Sequence, residues 1–495
     1  MKRIFLVLAL VWCVAHTQAQ TVDDLYRYLS ASTIGSARLT GLGQAGGALK
    51  GDLSSIQINP AAAALFDYGA FSLSSALTHE NNRSETGEFR DNASKLSLNL
   101  NQASGLLVFV SDTSPWNKVT LGFSYDQTAL YNQKIRAGGI AEQGIDQYYL
   151  GFAEGNNYIN LLPFDNELIE DAYRRIGSDY GYGAQQGFLG IYSGLIAHDE
   201  LGYFSSVDYS NVLQFYRNTV KGAIGRFILH SAASYKDHIF LGASLGIHDL
   251  SYERYSYLND EGYLGSNSSA TESRFDNYLF TTGLGASLQL GILLKLSKTI
   301  VFGSSYTSPT WYTMNDQTAQ SVSSNASLED LSFINFSQLN FYEDYRMNLP
   351  SSISFNLAVT PAENFHIVAD YRRENFGEAQ FLPNENAAFA SENQAMKETY
   401  STVERFSLGT EFQKENRIIR FGYMMQSVPA IGGSLGARTA ISTGIGFKQS
   451  SSQFDVGLRH EVSDENVFFF DALLPNAAIV KRSNLRLVAT YTFSL

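Results

Sequence analysis

Gly41-Leu42-Gly43-Gln44-Ala45-Gly46 spells the G-x-G-x-x-G of a dinucleotide-binding turn. That chemistry needs a buried strand before the glycines and a helix after them, with a pyrophosphate on the helix N-terminus. Here Gly35 to Thr40 is not an apolar strand and no βαβ unit follows, so the glycines read better as permitting tight packing. The eight histidines are scattered, and none pairs at a metal-ligand spacing on a helix. His230 and Ser231 are neighbours, but adjacent strand residues face opposite ways and cannot form a nucleophile–base pair. No enzyme chemistry, cofactor or metal is expected. Charges on one face of alternating segments say more: Asp370 and Arg372, Arg405 and Glu411, Arg420, Asp455 and Arg459. Arg372 and Arg405, counted from a shared short turn, come to similar heights on neighbouring strands. Paired guanidinium groups suit a carboxylate. The plainer expectation is a structural network in which Asp370, Glu411 or Asp52 neutralises them.

The elements that position these charges are strands. Ile239, Leu241, Ala243, Leu245 and Ile247 alternate with Phe240, Gly242, Ser244, Gly246 and His248. Leu487, Ala489, Tyr491, Phe493 and Leu495 alternate with Val488, Thr490 and Thr492 in the same way. A period of two, with one greasy and one small or polar face, is the strand signature. Trp116, Tyr125, Tyr306, Tyr371, Tyr423, Tyr491 and Phe493 fall near strand ends on the greasy face, where interfacial girdles belong. Glycines at 242, 246, 303, 409, 422, 444 and 446 sit on the other face. Glycine weakens a strand unless something approaches it closely, so these point to a plug or a ligand path beside the wall.

Compartment and class follow from the ends and the composition. Lys2 and Arg3, the apolar run Ile4 to Val14 and the small residues of Thr17-Gln18-Ala19 predict a leader over residues 1–19. The single cysteine, Cys13, lies within it, so the mature chain needs no disulfide. Of 495 residues, 13% are aromatic and only 9 are proline, no linker divides the chain, and past the leader no apolar run suits a spanning helix. A closed barrel is the remaining way into a membrane. The formal charge of −13 argues against nucleic acid and for acidic loops.

Short turns at 111–118, 235–238, 296–299, 360–364, 413–416 and 448–453 alternate with long polar loops near 80–93, 135–210, 259–272, 315–338, 379–400, 428–437 and 464–481. That asymmetry predicts a transmembrane antiparallel β-barrel of about fourteen strands, with periplasmic turns and extracellular loops. Alternation breaks around Gln102–Gly105, and the 135–210 insertion has room for helical turns.

Residues 20–66 are expected to form a small N-terminal hatch and 67–495 the barrel. The hatch carries Ser36-Ala37-Arg38, the Gly41–Gly47 run with Gly41, Gly43 and Gly46, Gly51-Asp52, and the turn Asn59-Pro60-Ala61. Together with Phe240–Ile247, Tyr306–Thr310, Leu349-Pro350-Ser351 and Ala369-Asp370-Tyr371, this resembles the FadL/TodX family of outer-membrane channels. The resemblance implies a monomer in outer-membrane lipid and lipopolysaccharide that passively takes up long-chain fatty acids or aromatic hydrocarbons. It also implies a hatch that shifts on ligand binding, at Arg38, Gly41, Gly43, Gly46, Asp52, Asn59, Pro60 and Ala61, and a sideways exit through the wall. Arg372 and Arg405 would then hold a ligand carboxylate. A non-transporting adhesive barrel and a general porin are the alternatives, and neither needs a hatch.

Overall fold

The computed structural model describes residues 22–29, 35–263, 268, 270–325, 340–341, 343–430, 435–469 and 477–495. The expected leader lies outside them. The alternating segments form a closed barrel of 14 antiparallel strands. β1 (Ala70–Thr86), β2 (Phe89–Val110), β3 (Lys118–Ala141), β4 (Val212–Tyr235), β5 (Ile239–Glu261) and β6 (Glu272–Lys295) are continuous. The next three are interrupted: β7 (Ile300–Thr307, Thr310–Ser324), β8 (Tyr345–Leu349, Ser352–Ala362) and β9 (Phe365–Asn375, Gln380–Leu382). Pro309 and Pro350 have no N–H to give the ladder, which stops at both and resumes beyond them. β10 (Thr402–Lys414), β11 (Arg417–Gln426), β12 (Arg438–Lys448), β13 (Ser452–Phe468) and β14 (Ala477–Ser494) complete the circuit. β14 pairs with β1 from Ser494↔Ala70 to Ile479↔Glu85, which closes the circuit between the first and last strands.

The faces follow the period of two. On β5, Leu241, Leu245 and Ile247 are exposed, whereas Phe240, Ser244 and His248 are buried. Exposed Leu, Ile and Phe side chains ring the barrel, and Trp116, Tyr306, Tyr423, Tyr491 and Phe493 stand on that outer face. An apolar belt this broad is the surface of a protein in lipid.

The short turns lie where expected. Several expected loops are instead strand. β1 and β2 pair up to Thr86↔Phe89 around Gly87, and β13 and β14 up to Phe468↔Ala477, so 80–93 and much of 464–481 are paired hairpin. Above the apolar belt the outer face meets water and the buried face carries polar Glu80, Asn82 and Ser84 on β1, so hydrophobic alternation fades from the sequence while the backbone ladder continues.

Inside the barrel lie α1 (Val22–Leu29), α2 (Ala37–Gly41), α3 (Ser55–Ile58) and a 3₁₀ turn (Pro60–Leu65). The 135–210 insertion holds α4 (Ile145–Ala153), α5 (Ile169–Tyr180), α6 (Tyr182–Tyr192) and a short hairpin (Ile196–Asp199, Gly202–Ser205). α7 (Ala387–Thr399) lies between β9 and β10. Tyr148, Tyr149 and Phe188 of the insertion share one core with Ile135, Phe275 and Val480 of the wall, so the insertion caps the mouth opposite the short turns.

A carboxylate cluster pins the start of this cap. Asp260 stands near the end of β5, beyond its last exposed aliphatic residue, Ile247, and its last exposed aromatic, Tyr255, where the strand meets α4 of the cap instead of the apolar belt. Its Oδ2 accepts from the Ile145 N–H (2.6 Å) and the Tyr263 hydroxyl (2.9 Å). Asp146, also fully buried, accepts from Tyr209 (2.6 Å) and Ser205 (2.7 Å). Burial, with a smaller push from Asp146, raises the Asp260 carboxyl from 3.8 to about 7. A raised carboxyl binds its proton more tightly in the docked cap than in the released one. The docking it supports is therefore complete below about pH 4 and is lost as pH rises through 7. Hydrogen exchange of α4 amides should accelerate from pH 4 to 8 beyond the intrinsic rate, and Asp260→Asn should flatten that excess.

Candidate functional site: the filled lumen

The segment from Gly35 to Phe66 is small-residue chain, and it enters the lumen because the wall is glycine where the two meet. A Cβ at Gly422 of β11 would stand 2.0 Å from the Gly43 nitrogen, and one at Gly242 of β5 would stand 2.4 Å from the Ala61 nitrogen. Gly303, Gly409 and Gly444 likewise face Asn59, Leu42 and Gly41, whereas Gly246 and Gly446 face wall side chains instead. On the segment's side, Gly41 meets Gly444, Gly43 sits at φ 66° against Tyr423, and Gly46 packs on Leu39. The G-x-G-x-x-G run is thus a contact surface.

Polar bonds clasp the segment at named points. Arg38 holds Glu411 of β10 with a two-pronged ion pair (2.8 and 2.7 Å). Glu411 also takes fully buried Arg420 (2.6 Å), which reaches on to Asp455 (2.7 Å). Asp370 accepts from the Gly46 and Gly47 N–H groups (2.7 and 3.0 Å). Asp52 stays within the segment, taking the Ser36 hydroxyl (2.6 Å) and the Ser54 N–H (2.8 Å). Asn59 is fully buried. Its Oδ1 caps the 3₁₀ turn at Ala61 N (3.1 Å), with Pro60 as the first residue of that turn. Its Nδ2 donates to Ile292 O, Ser304 O and Asn356 Oδ1 (3.2, 3.2 and 3.1 Å), tying that turn to β6, β7 and β8.

Arg372 and Arg405 are direct cross-strand partners on β9 and β10. The expected neutralising network is not the one formed, because Asp370 and Glu411 bind the plug segment and Asp52 binds its own chain. Arg372 pairs with Glu374 (3.0 Å), and Arg405 rests on the neutral Gln426 (3.1 and 2.8 Å). Both arginines border a small cavity whose inner wall is Gln44, Gln57 and Ile58 of the plug.

Sequence reasoning missed two features. The first is α1, whose Tyr26 stacks on Tyr400 (4.9 Å) and whose Arg27 lies 4.3 Å over the Tyr252 ring. Leu25, Tyr28 and Leu29 are buried against wall residues such as Tyr131, Met314 and Phe376. The eight-residue segment was simply too short to stand out as amphipathic. The second is a break in the wall. β2 and β3 pair only from Val110↔Lys118 to Gln102↔Asp126, while β3 goes on pairing β4 up to Ala141. Above Gln102 the two strands share no ladder. Asn99 bridges to Gln127 by side chains, and Asn101 reaches the Gly35 carbonyl (3.4 Å) at the foot of the break. The lost alternation at Gln102–Gly105 was its only trace in the sequence.

Removing one partner of a buried ion pair costs about 3–5 kcal/mol, because the other charge stays buried. Glu411→Gln strips Arg38 and Arg420 of their shared anion and leaves the wall ladder intact. The barrel should keep its SDS-resistant, heat-modifiable gel shift while the plug segment becomes protease-sensitive. Gly422→Val should do the same by steric exclusion of Gly43. A plug as protected as in the unaltered chain would contradict this account of the clasp.

No protein-family model matches the chain, and no curated protein matches it either. Solved structures do. A FadL homologue of Pseudomonas aeruginosa superposes with a TM-score of 0.56 at 11% identity, over 94% of this chain and 100% of its own. The Pseudomonas putida toluene transporter TodX gives 0.52 at 12%, over 94% and 98%. The CymD monoaromatic hydrocarbon channel gives 0.51 at 12%, over 94% and 99%. At such identities the likeness speaks for the fold. This chain has the barrel fold seen in the FadL homologue and the TodX and CymD channels.

Proposed function

We propose that this protein is a monomeric, passive channel of the bacterial outer membrane, embedded among its lipid and lipopolysaccharide, that takes up hydrophobic compounds. The carrying observation is a lipid-facing barrel whose lumen is filled by a glycine-packed segment clasped at a few polar points. A general porin needs an open lumen, and an adhesive barrel has no use for so many luminal glycines. The residues 20–66 act as the gate and 67–495 as the wall. Ligand enters under the extracellular cap, displaces α1, and loosens the contacts of Arg38, Asp52 and the Asn59-Pro60-Ala61 turn. The break between β2 and β3 supports sideways exit to lipid there, because Gly35 and Gln57 of the plug sit at its foot. Gln57 binds Asp126, the last β3 residue of the paired stretch. Burial of each CH₂ is worth about 0.8 kcal/mol, so an alkyl chain of a dozen carbons supplies ample affinity. Arg372 and Arg405 would orient an acid. The likeness in fold to hydrocarbon and FadL-type channels is consistent with this reading.

Uptake of labelled long-chain fatty acid or toluene by cells with this protein as their only such channel tests the proposal. Uptake equal to that of cells lacking the channel would remove it. Deleting residues 20–66 should leave a folded barrel with raised single-channel conductance. Asn59→Leu with Pro60→Ala should slow uptake several-fold with the gel shift retained. Asn99→Cys with Gln127→Cys, bridged by a short thiol cross-linker, should stop uptake until the linker is reduced, whereas continued uptake would place the exit elsewhere.

A further inference from the structure

Above the apolar belt, β3 and β4 turn a group of cations outward. Phe227 and Leu229 of β4 are exposed on the outer face, and Lys221 and Arg217 share their parity. Ile140 of β3 is exposed in the same way, and Lys134 and Arg136 share its parity. Strand pairing brings the two columns together. Arg136 stands directly opposite Arg217, Lys134 opposite Thr219, and Asn132 opposite Lys221. Lys134 is therefore diagonal to both Arg217 and Lys221, within reach of long side chains. Lys95 of β2 adds a fifth cation, its Nζ donating to the Val220 carbonyl (3.3 Å).

Like charges directly opposite each other destabilise a sheet, and little on the protein offsets these. Glu253 of β5 approaches Lys221 at 3.8 Å. Among the described residues no carboxylate pairs with Lys134, Arg136 or Arg217. Outward cations elsewhere on the wall are matched: Lys481 by Glu85 (3.2 Å) and Arg274 by Asp276 (2.7 Å), while Arg373 stands opposite Glu404. The surroundings of the unmatched group are those of a membrane boundary. One register row runs Lys134, Thr219, Tyr255, Tyr278 across β3 to β6, and Tyr257 stands opposite Arg217. Outward tyrosines mark the headgroup level of a bilayer. The cations also lie toward the strand ends that flank the 135–210 insertion, remote from the short turn at 235–238.

We infer that this outer face of β3 and β4 is a docking site for the phosphates of lipopolysaccharide, the phosphorylated glycolipid of the outer leaflet. The inference goes beyond uptake and rests only on the outer-membrane placement proposed above. Arg136 and Arg217 are one ladder spacing apart, so a single phosphate can lie between them and turn their repulsion into a shared contact. The guanidinium fork matches phosphate oxygens through paired charge-assisted hydrogen bonds, and Lys134 and Lys221 add point charges beside it. A headgroup without phosphate would leave the opposed arginines unneutralised. Free phosphate would lack the acyl chains that cover exposed Phe227 and Leu229 just below.

Native mass spectrometry of the full chain, titrated in neutral detergent with lipid A, dephosphorylated lipid A or inorganic phosphate, tests the inference. Lipid A should bind at least about tenfold more tightly than its dephosphorylated form, and inorganic phosphate should not be retained. Lys134→Gln, Arg136→Gln, Arg217→Gln and Lys221→Gln together should make the two lipids bind alike in protein that keeps its heat-modifiable gel shift. Arg136→Gln with Arg217→Gln should by itself remove most of the preference. Arg373→Gln with Lys481→Gln, which removes two outward cations the structure matches with carboxylates, should leave the preference intact. Equal binding of both lipids, a preference that survives the fourfold change, the same loss in the control pair, or retention of inorganic phosphate would each overturn the site. All of these would leave the uptake function standing, because none of the altered residues lines the lumen.

Discussion

Everything in this molecule depends on closure of the backbone ladder between β1 and β14. In hydrocarbon an unpaired N–H or C=O costs several kcal/mol, so a spanning sheet must have no edge. Closure at fourteen strands fixes a lumen wider than the eight-stranded barrels whose side chains fill their own interior. The extra volume has to be occupied by water or by chain. Here it is occupied by chain: a small-residue segment below, one helix at mid-height and a helical cap above.

The fit of the lower segment is a matter of atoms left out. At Gly422 and Gly43, strand and plug backbones come closer than any side chain would allow. Polar contacts then set the register, with Arg38 on Glu411 and Asp370 on two consecutive N–H groups. Such bonds are strong while water is excluded and weak once it enters. A segment held this way is rigid when seated and cheap to release once one bond is wetted, which is the behaviour required of a gate.

The departures from regular barrel geometry have local causes. Prolines stop the ladder on β7 and β8, and a register shift at Ser74/Ser75 stands opposite the point where β2 leaves β3. The greasy surface faces outward, while the lumen is polar and rich in arginine. That inversion of a soluble protein's plan is a direct consequence of lipid as the outer solvent.

The sequence by itself determined the wall. Alternation on β5 and β14, the short turns and the absence of a spanning helical run gave fourteen strands and their facing, because side-chain direction in a strand is a local property with a period of two. It also marked the luminal glycines, and five of the seven meet the plug. Its loop boundaries failed at 80–93 and 464–481, where the outer face is polar and wet and the buried face mixes Glu80, Asn82 and Ser84 with Ala478 and Val480, so the period carries little contrast. Only the tertiary structure decided partners. Arg372 and Arg405 were placed side by side from the sequence, yet Glu411 went to Arg38 and Arg420, which no count along the strands could show. The place of α1 and the break above Gln102 depend on groups from distant strands meeting in one lumen. Closure of the barrel, a long-range event, brings them together.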